Sequence, residues 1–294
     1  MKIIMVHGIN QADKDPDTLK HIWVTAFLDG VFQAGLTKIP ETTKIEFVYY
    51  GDKVKLYLDN DKSDNGLFDL RTRGLHAFTL NIEGLNTDEK AILESIANNL
   101  DDEETLPEDV IPKNILVPSS FKDKVAKAII KITSHYGKIH TWGLKNFARE
   151  ASLYLNNVKY RNEVKAKLLE KIEENQDEDV VLIGHSLGSV VCFDVMQNLD
   201  PKYKISRFIT LGSPLGIPVF YNFFNNRNKP LSLKGEWINF YDTDDFVAAY
   251  LLKNPPYTVQ PEIQNIRAKT QYFQPHFIVG YLDDALVAQK ILGL

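Results

Sequence analysis

A serine between two glycines stands at the junction of a predicted strand and a predicted helix. The segment Gly184-x-Ser186-x-Gly188 follows the apolar run 180–183 and precedes a helix-period apolar pattern. A sharp turn in this context exposes the serine hydroxyl to a base and a substrate carbonyl, while the glycines let strand and helix approach. The N–H of Leu187, at the helix start, can face a developing oxyanion. The pattern predicts nucleophilic catalysis by Ser186, with a purely structural turn as the alternative.

A serine nucleophile needs a histidine base and a carboxylate that orients this base. When the serine lies on a strand–turn–helix, these partners follow it along the chain, the acid first. Only His276 of the seven histidines lies after Ser186, in a proline-marked loop between a predicted strand at 269–273 and a predicted helix at 281–292. Chain order therefore favours His276 as the base, and an ordinary surface histidine is the alternative.

Three carboxylates crowd the loop that follows a predicted strand at 237–241. They are Asp242, Asp244 and Asp245. Like charges this close repel each other and cannot all be buried, so one should orient His276 while the others are solvated or cap turns. The residue types leave both Asp242 and Asp245 open as the acid.

Four segments resemble the α/β-hydrolase superfamily and, more narrowly, lipases and intracellular phospholipases A1. They are the serine turn 184–189, the loop 211–216, the acid loop 239–248, and the block in which His276 is followed by Tyr281 and Asp284. The similarity covers the first ten residues and roughly 160–294.

This resemblance implies an α/β-hydrolase fold, with a mostly parallel central sheet flanked by helices. It also implies that the acid stands two places before a valine, which is the position of Asp245 relative to Val247. Phe246 replaces the proline that is usual between them, so Asp242 stays the alternative acid.

A short apolar strand at 1–6 leads into a His-Gly turn. In the resembled superfamily, such a loop after an early strand supplies the second oxyanion donor from a backbone N–H. We therefore expect Ile9, or else Asn10, to act with Leu187, and His7 to hold the loop rather than to act as a base. An ordinary turn at the end of a strand is the alternative.

The longest uncharged stretch, 208–226, contains two prolines and two glycines. These residues favour a strand followed by an apolar loop over a membrane helix. Its large side chains are predicted to line an acyl pocket, with ordinary core packing as the alternative. The candidate substrate-binding residues are Leu215, Ile217, Phe220 and Phe224.

The elements that must position these residues alternate as an α/β fold demands. The predicted elements are a helix at 17–36, a strand at 44–50 and a helix at 141–174. We interpret 1–294 as a single α/β-hydrolase domain with a helical insertion at 52–140, which either caps the serine or forms a surface bundle. The helices predicted within the insertion are 87–100 and 121–134.

Composition limits the possible partners and location. The 294 residues are 44% hydrophobic and 25% charged, enough for a full core. A formal charge of −5 without a basic block argues against nucleic acid. The single cysteine, Cys192, excludes an internal disulfide.

A strand at the very start leaves no room for a signal peptide and predicts a cytoplasmic location. No transmembrane segment is predicted, which leaves transient membrane contact open.

These features together predict a serine hydrolase that cleaves carboxylic esters, of lipid or of another small acyl compound, through an acyl-enzyme on Ser186. Neither a metal nor a cofactor is expected, and the sequence does not indicate an oligomeric state. A thioesterase or acyltransferase with the same residues is one alternative. A non-catalytic interaction protein that kept the fold is another.

Overall fold

A parallel sheet forms the centre of the computed structural model. Its strands are β1 Lys2–Val6, β2 Lys44–Val48, β3 Val180–His185, β4 Ile205–Leu211, β5 Leu233–Tyr241 and β6 Gln264–Arg267. The structure describes residues 1–59, 85–98, 128, 131–132, 141–174, 178–248, 250–270 and 274–294. Within these ranges the six strands pair in the order β2-β1-β3-β4-β5-β6, all parallel. The predicted fold class is thereby confirmed.

Helices cover both faces of the sheet. The described α-helices are α1 Pro16–Gln33, α2 Gly51–Asp59, α3 Thr87–Ala97, α4 Thr141–Asn156, α5 Val158–Glu173, α6 Leu187–Gln197, α7 Pro218–Phe223, α8 Ile278–Leu282 and α9 Ala285–Leu292. Successive strand side chains point to opposite faces, so Ile4 and Val6 of β1 join one hydrophobic cluster while Ile3 and Met5 join another. Helices α2 to α7 pack on the first cluster, and α1, α8 and α9 pack on the second.

The strand register brings four loops to one edge of the sheet. Val6 pairs with Gly184, and Leu211 pairs with both His185 and Phe240. The carboxyl ends of β1, β3, β4 and β5 are therefore level. Ligands of open α/β sheets bind outside this edge, so the loops that follow these strands are where a site is expected.

Several helix boundaries differ from the predicted ones. Helix α1 begins one residue early, at Pro16, because Asp15 caps it by accepting a hydrogen bond from the Thr18 N–H, and it ends at Gln33. The single helix predicted at 141–174 is wrong: the structure has α4 and α5. The chain leaves helical geometry at Asn157, whose side chain accepts from the Tyr160 N–H and starts the second helix.

The carboxyl-terminal prediction also needs correction. The last strand is Gln264–Arg267, and residues 269–270 of the predicted strand are not in the sheet, while 271–273 lie outside the described residues. The helix predicted at 281–292 is α8 followed by α9, because the Asp284 side chain accepts from the Leu286 and Val287 N–H groups and begins a new helix.

The remaining boundaries concern the amino-terminal half. The strand predicted at 44–50 ends at Val48, and the helix predicted at 87–100 is observed as Thr87–Ala97. Most of 121–134 lies outside the described residues, as does most of the insertion at 52–140. That insertion stays a prediction.

Candidate active site

Ser186 occupies a strained turn between β3 and α6. Its backbone has φ 52° and ψ −130°, outside the regions that a residue with a side chain readily adopts. Such conformations cost about 1–3 kcal/mol and persist where the surrounding structure enforces them, often at functional sites. Helix α6 begins at the next residue, Leu187. The serine is thus fixed at the carboxyl edge of the sheet.

The glycines around the serine are required by close backbone packing. A Cβ on Gly188 would lie 2.4 Å from the carbonyl oxygens of Val6 and His7. One on Gly8 would lie 2.5 Å from the Cβ of Ser186. The loop after β1 and the serine turn therefore press directly against each other, and only glycine fits at these contacts.

His276 lies within hydrogen-bonding distance of both the serine and a carboxylate. Its Nε2 is 2.9 Å from the Oγ of Ser186, and its Nδ1 is 2.8 Å from Oδ2 of Asp245. A carboxylate beside Nδ1 keeps the proton on that nitrogen, which leaves Nε2 to accept the serine proton. The structure thus aligns Ser186, His276 and Asp245 in one hydrogen-bonded row.

Asp245 is fully buried and held on three sides. Besides His276, the Tyr281 hydroxyl donates to Oδ2 at 2.8 Å and the Val247 N–H donates to Oδ1 at 2.9 Å. Burial raises the pKa of Tyr281 well above 10, so the hydroxyl keeps its proton and stays a donor. These bonds fix the carboxylate facing the imidazole.

The alternative acid, Asp242, faces away from the histidine. Its Oδ2 accepts from the N–H and the hydroxyl of Thr270, at 2.9 and 2.7 Å, and its Oδ1 accepts from the Asp244 N–H at 3.0 Å. Burial acts to raise the pKa of Asp242, but these bonds outweigh it and the net shift is downward. Asp242 thus joins two loops, and the structure brings Asp245, rather than Asp242, to His276.

His185 contacts His276 and helps to hold it in place. Its Nε2 lies 3.0 Å from the backbone carbonyl oxygen of His276, and the two ring centres are 4.8 Å apart. Burial lowers the pKa of His185 well below 6.5, so the ring is neutral and its Nε2–H donates to that carbonyl. No local sequence signal indicates this role, although His185 is the variable position next to the serine.

His7 is a loop anchor. It accepts from the Tyr50 N–H at Nε2, 3.0 Å away, so Nδ1 carries the proton and donates to the carbonyl of Gly8 at 2.6 Å. Burial lowers the pKa of His7 to about 4, which keeps the ring neutral. Because the peptide bond is trans and planar, fixing the Gly8 carbonyl points the Ile9 N–H in the opposite direction.

The predicted oxyanion donors differ in their hydrogen bonding. The Asn10 N–H donates to Oε1 of Glu150 at 2.9 Å and is therefore committed elsewhere. Within the described ranges, the N–H groups of Ile9 and Leu187 donate to no protein acceptor. Leu187 opens α6, where the first N–H groups have no partner inside the helix. Leu187 directly follows Ser186, and Ile9 directly follows Gly8, which packs against Ser186.

The candidate substrate-binding residues are part of one hydrophobic cluster that also contains Ile9 and Leu187. They are Leu215, Ile217 and Phe220, all fully buried, and Phe224, which is 6% exposed. The ring of Phe220 packs against Phe147 of α4. The four side chains thus belong to the same hydrophobic core as Ile9 and Leu187, and their role as an acyl pocket stays a prediction.

The comparisons with known proteins match the central part of the chain. Residues 149–220 match the family model of lecithin:cholesterol acyltransferase, a lipase family of the α/β-hydrolase type. The matched segment is about a quarter of the chain and contains Ser186. No curated protein matches the chain. Together with the parallel sheet, the match supports the α/β-hydrolase fold and likeness to an enzyme family that acts on acyl esters.

None of the helices in the described part of the chain is long and apolar enough to cross a bilayer. Across those same ranges, no cluster of three or more His, Cys, Asp or Glu side chains is arranged to hold a metal ion.

Proposed function

We propose that this protein is a serine hydrolase that cleaves carboxylic esters through an acyl-enzyme on Ser186. The observation that carries the proposal is the row of hydrogen bonds from the Ser186 hydroxyl through the His276 ring to Asp245. A buried carboxylate, an imidazole and a serine on a strained turn are together the arrangement that activates a hydroxyl as a nucleophile.

The reaction proceeds in two stages. Ser186 Oγ attacks the ester carbonyl while its proton passes to Nε2 of His276, and Asp245 stabilises the resulting imidazolium. The N–H groups of Ile9 and Leu187 bind the oxyanion. The imidazolium then gives its proton to the departing alcohol, leaving the acyl group on Ser186. Water, deprotonated by His276, attacks the acyl-enzyme, and collapse of the second oxyanion returns the proton to Ser186 and releases the carboxylic acid.

The proposed substrate is a lipid or another small acyl ester. The family match and the local resemblance to intracellular phospholipases A1 both support an acyl substrate, as does the hydrophobic cluster that contains both Ile9 and the candidate substrate-binding residues. In this proposal the protein uses no cofactor, binds no nucleic acid and works in the cytoplasm, and transient membrane contact stays open.

A fluorophosphonate probe tests the nucleophile. The probe is expected to label the wild-type protein on Ser186, because the activated hydroxyl attacks phosphorus as it would a carbonyl. Mass spectrometry of the labelled peptide locates the adduct. Labelling that maps to another residue, or that persists in Ser186→Ala, would overturn Ser186 as the nucleophile, and the absence of labelling would favour a non-catalytic protein with this fold.

Acyl-chain preference tests the apolar cluster. Phe220→Leu is expected to change the ratio of kcat/KM for a twelve-carbon ester to that for a four-carbon ester by about tenfold, because pocket shape discriminates apolar groups by about 10–200-fold. Phe208→Leu is the matched control, since Phe208 is another fully buried ring of the same cluster but lies on β4. Equal losses on both esters in Phe220→Leu would assign Phe220 to the core alone.

Acyl transfer is the second candidate, favoured by the name of the matched family. The same acyl-enzyme would then react with an alcohol in place of water. Product analysis with an alcohol acceptor distinguishes the two: a transferase forms the new ester in preference to the free acid. An acyl-thioester substrate tests the thioesterase alternative in the same assay.

A further inference from the structure

Helix α4 holds the loop that follows β1 at two points on Asn10. The Asn146 side-chain amide donates to Oδ1 of Asn10 at 2.9 Å, and Oε1 of Glu150 accepts from the Asn10 N–H at 2.9 Å. Residues four apart lie on the same face of a helix, so Asn146 and Glu150 can both form hydrogen bonds with Asn10. This contact joins segments 140 positions apart in the sequence.

Asn10 is held by these contacts in a left-handed backbone conformation. Asn10 has φ 61°, in the left-handed region that residues with a side chain seldom occupy. The carbonyl of the preceding residue, Ile9, accepts from the Gln11 side chain at 2.9 Å. The peptide between Ile9 and Asn10 is therefore held at both its oxygen and its N–H.

The held peptide lies next to the proposed oxyanion donor. His7 fixes the peptide on one side of Ile9 through the Gly8 carbonyl, and Glu150 fixes the peptide on the other side. With both flanking peptides anchored, the direction of the Ile9 N–H is set, while Gly8 is in contact with Ser186. A donor that is oriented in advance stabilises a transition state without reorganisation.

We propose that Glu150 is a positioning residue, which holds Asn10 so that the Ile9 N–H faces the oxyanion formed at Ser186. This inference rests on the proposed function. Glu150 does not touch the substrate, and it acts through the backbone of the loop. It is 4% exposed, so its carboxyl group meets the loop away from bulk water.

The charge of Glu150 changes near neutral pH. Burial raises its pKa to about 7, and the hydrogen bond from Asn10 opposes the rise. Tyr50, Tyr160 and Cys192 nearby keep their protons because burial raises their pKa values well above the usual range. The charged groups on α4 and on the helices around it include the pairs Glu89 with Arg149, Asp194 with Lys165, Glu163 with Lys53 and Asp52 with Lys167.

The protonation state of Glu150 determines the strength of its hydrogen bond with the Asn10 N–H. A carboxylate accepts a hydrogen bond about twice as strong as a neutral acceptor does, so Asn10 is held more tightly above pH 7. Because the folded-state pKa is raised, the folded protein binds more protons than the unfolded chain between about pH 4.5 and 7, and Glu150 lowers stability as the pH rises through this window. At a pH above about 7, Glu150 thus holds Asn10 most tightly and also lowers the stability of the folded protein.

Two substitutions separate these effects. Glu150→Ala removes the acceptor and is expected to lower kcat by about 10²-fold with little change in KM, approaching the loss of an oxyanion donor. Glu150→Gln keeps a neutral acceptor and is expected to stay within about tenfold of the wild-type kcat. The ratio of wild-type to Glu150→Gln kcat should rise with pH through about 7, since pH-dependent steps common to both proteins cancel in the ratio. Ser152→Ala, another buried polar position of α4, should leave kcat unchanged.

The Asn10 amide resonance provides a readout that needs no turnover. In the wild-type protein it should move downfield as the pH rises through about 7, and in Glu150→Gln it should not titrate. An amide that does not titrate, or a pH-independent kcat ratio, overturns the positioning role. A titrating amide in a protein that hydrolyses no ester overturns the proposed function and leaves the loop contact standing. Should Glu150→Ala fail to fold, Asn146→Ala removes the second contact and is expected to lower kcat in the same direction.

Discussion

Ser186→Ala is expected to lower kcat for ester hydrolysis by about 10⁴–10⁶-fold, because it removes the oxygen that attacks the carbonyl in the proposed mechanism. The Oγ of Ser186 lies 2.9 Å from the nitrogen that would take its proton. A residual rate above that in water is expected from the oxyanion donors, which are backbone groups and survive the substitution. The measurement is the initial rate with a chromogenic short-chain ester.

Ser206→Ala is the matched control for this loss. Its hydroxyl donates to the carbonyl of Val180, at the opposite end of β3 from Ser186, so it tests the sheet without touching the site. We expect Ser206→Ala to keep the wild-type kcat and Ser186→Ala to keep the wild-type unfolding temperature. These two results would assign the lost activity of Ser186→Ala to the loss of the nucleophile rather than to unfolding. A Ser186→Ala protein that keeps more than a hundredth of the wild-type rate would contradict the proposed nucleophile.

Asp245→Asn is expected to lower kcat by about 10⁴-fold while leaving the fold in place. An amide in that position can donate to Nδ1 of His276, which favours the wrong tautomer and puts the proton on the nitrogen that must accept from Ser186. The amide also cannot stabilise an imidazolium by charge. Steady-state kinetics with the same short-chain ester measure the effect.

Asp242→Asn is the matched control for Asp245→Asn. The two carboxylates stand three residues apart, yet Asp242 bonds Thr270 and the Asp244 N–H. We expect kcat within about tenfold of the wild type, because no hydrogen bond of His276 is changed. Since the pKa of Asp242 is lowered in the fold, its carboxylate contributes stability at neutral pH that is lost as the pH falls through that pKa. A large kcat loss in Asp242→Asn with none in Asp245→Asn would reverse the assignment.

Local sequence signals predict the serine turn well. The apolar run before Ser186 and the glycines beside it are properties of one short segment, and β3 and α6 form as that pattern indicates. The choice between Asp242 and Asp245 could not be made from residue types, because both lie in one loop. It depends on Tyr281 and Val247, which meet Asp245 only once the chain has folded.

The loop contact of Glu150 is invisible in the sequence for a similar reason. A glutamate within a charged helical segment reads as a solvated residue, and nothing local indicates that α4 packs over a loop near residue 10. By contrast, the two helix breaks could have been predicted from the sequence. Asn157 and Asp284 are residue types that commonly cap the start of a helix, but each was included in one long predicted helical region.

The interior position of β1 ties activity to the order in which the chain assembles. β1 pairs with β2 on one side and with β3 on the other, and Lys2 aligns with Val180. Bringing segments so distant together costs loop-closure entropy, and contacts of this kind form slowly during folding. Only when this pairing is complete does Gly8 meet Ser186. Recovery of esterase activity after dilution from denaturant should therefore lag behind helix formation and report the completion of the sheet.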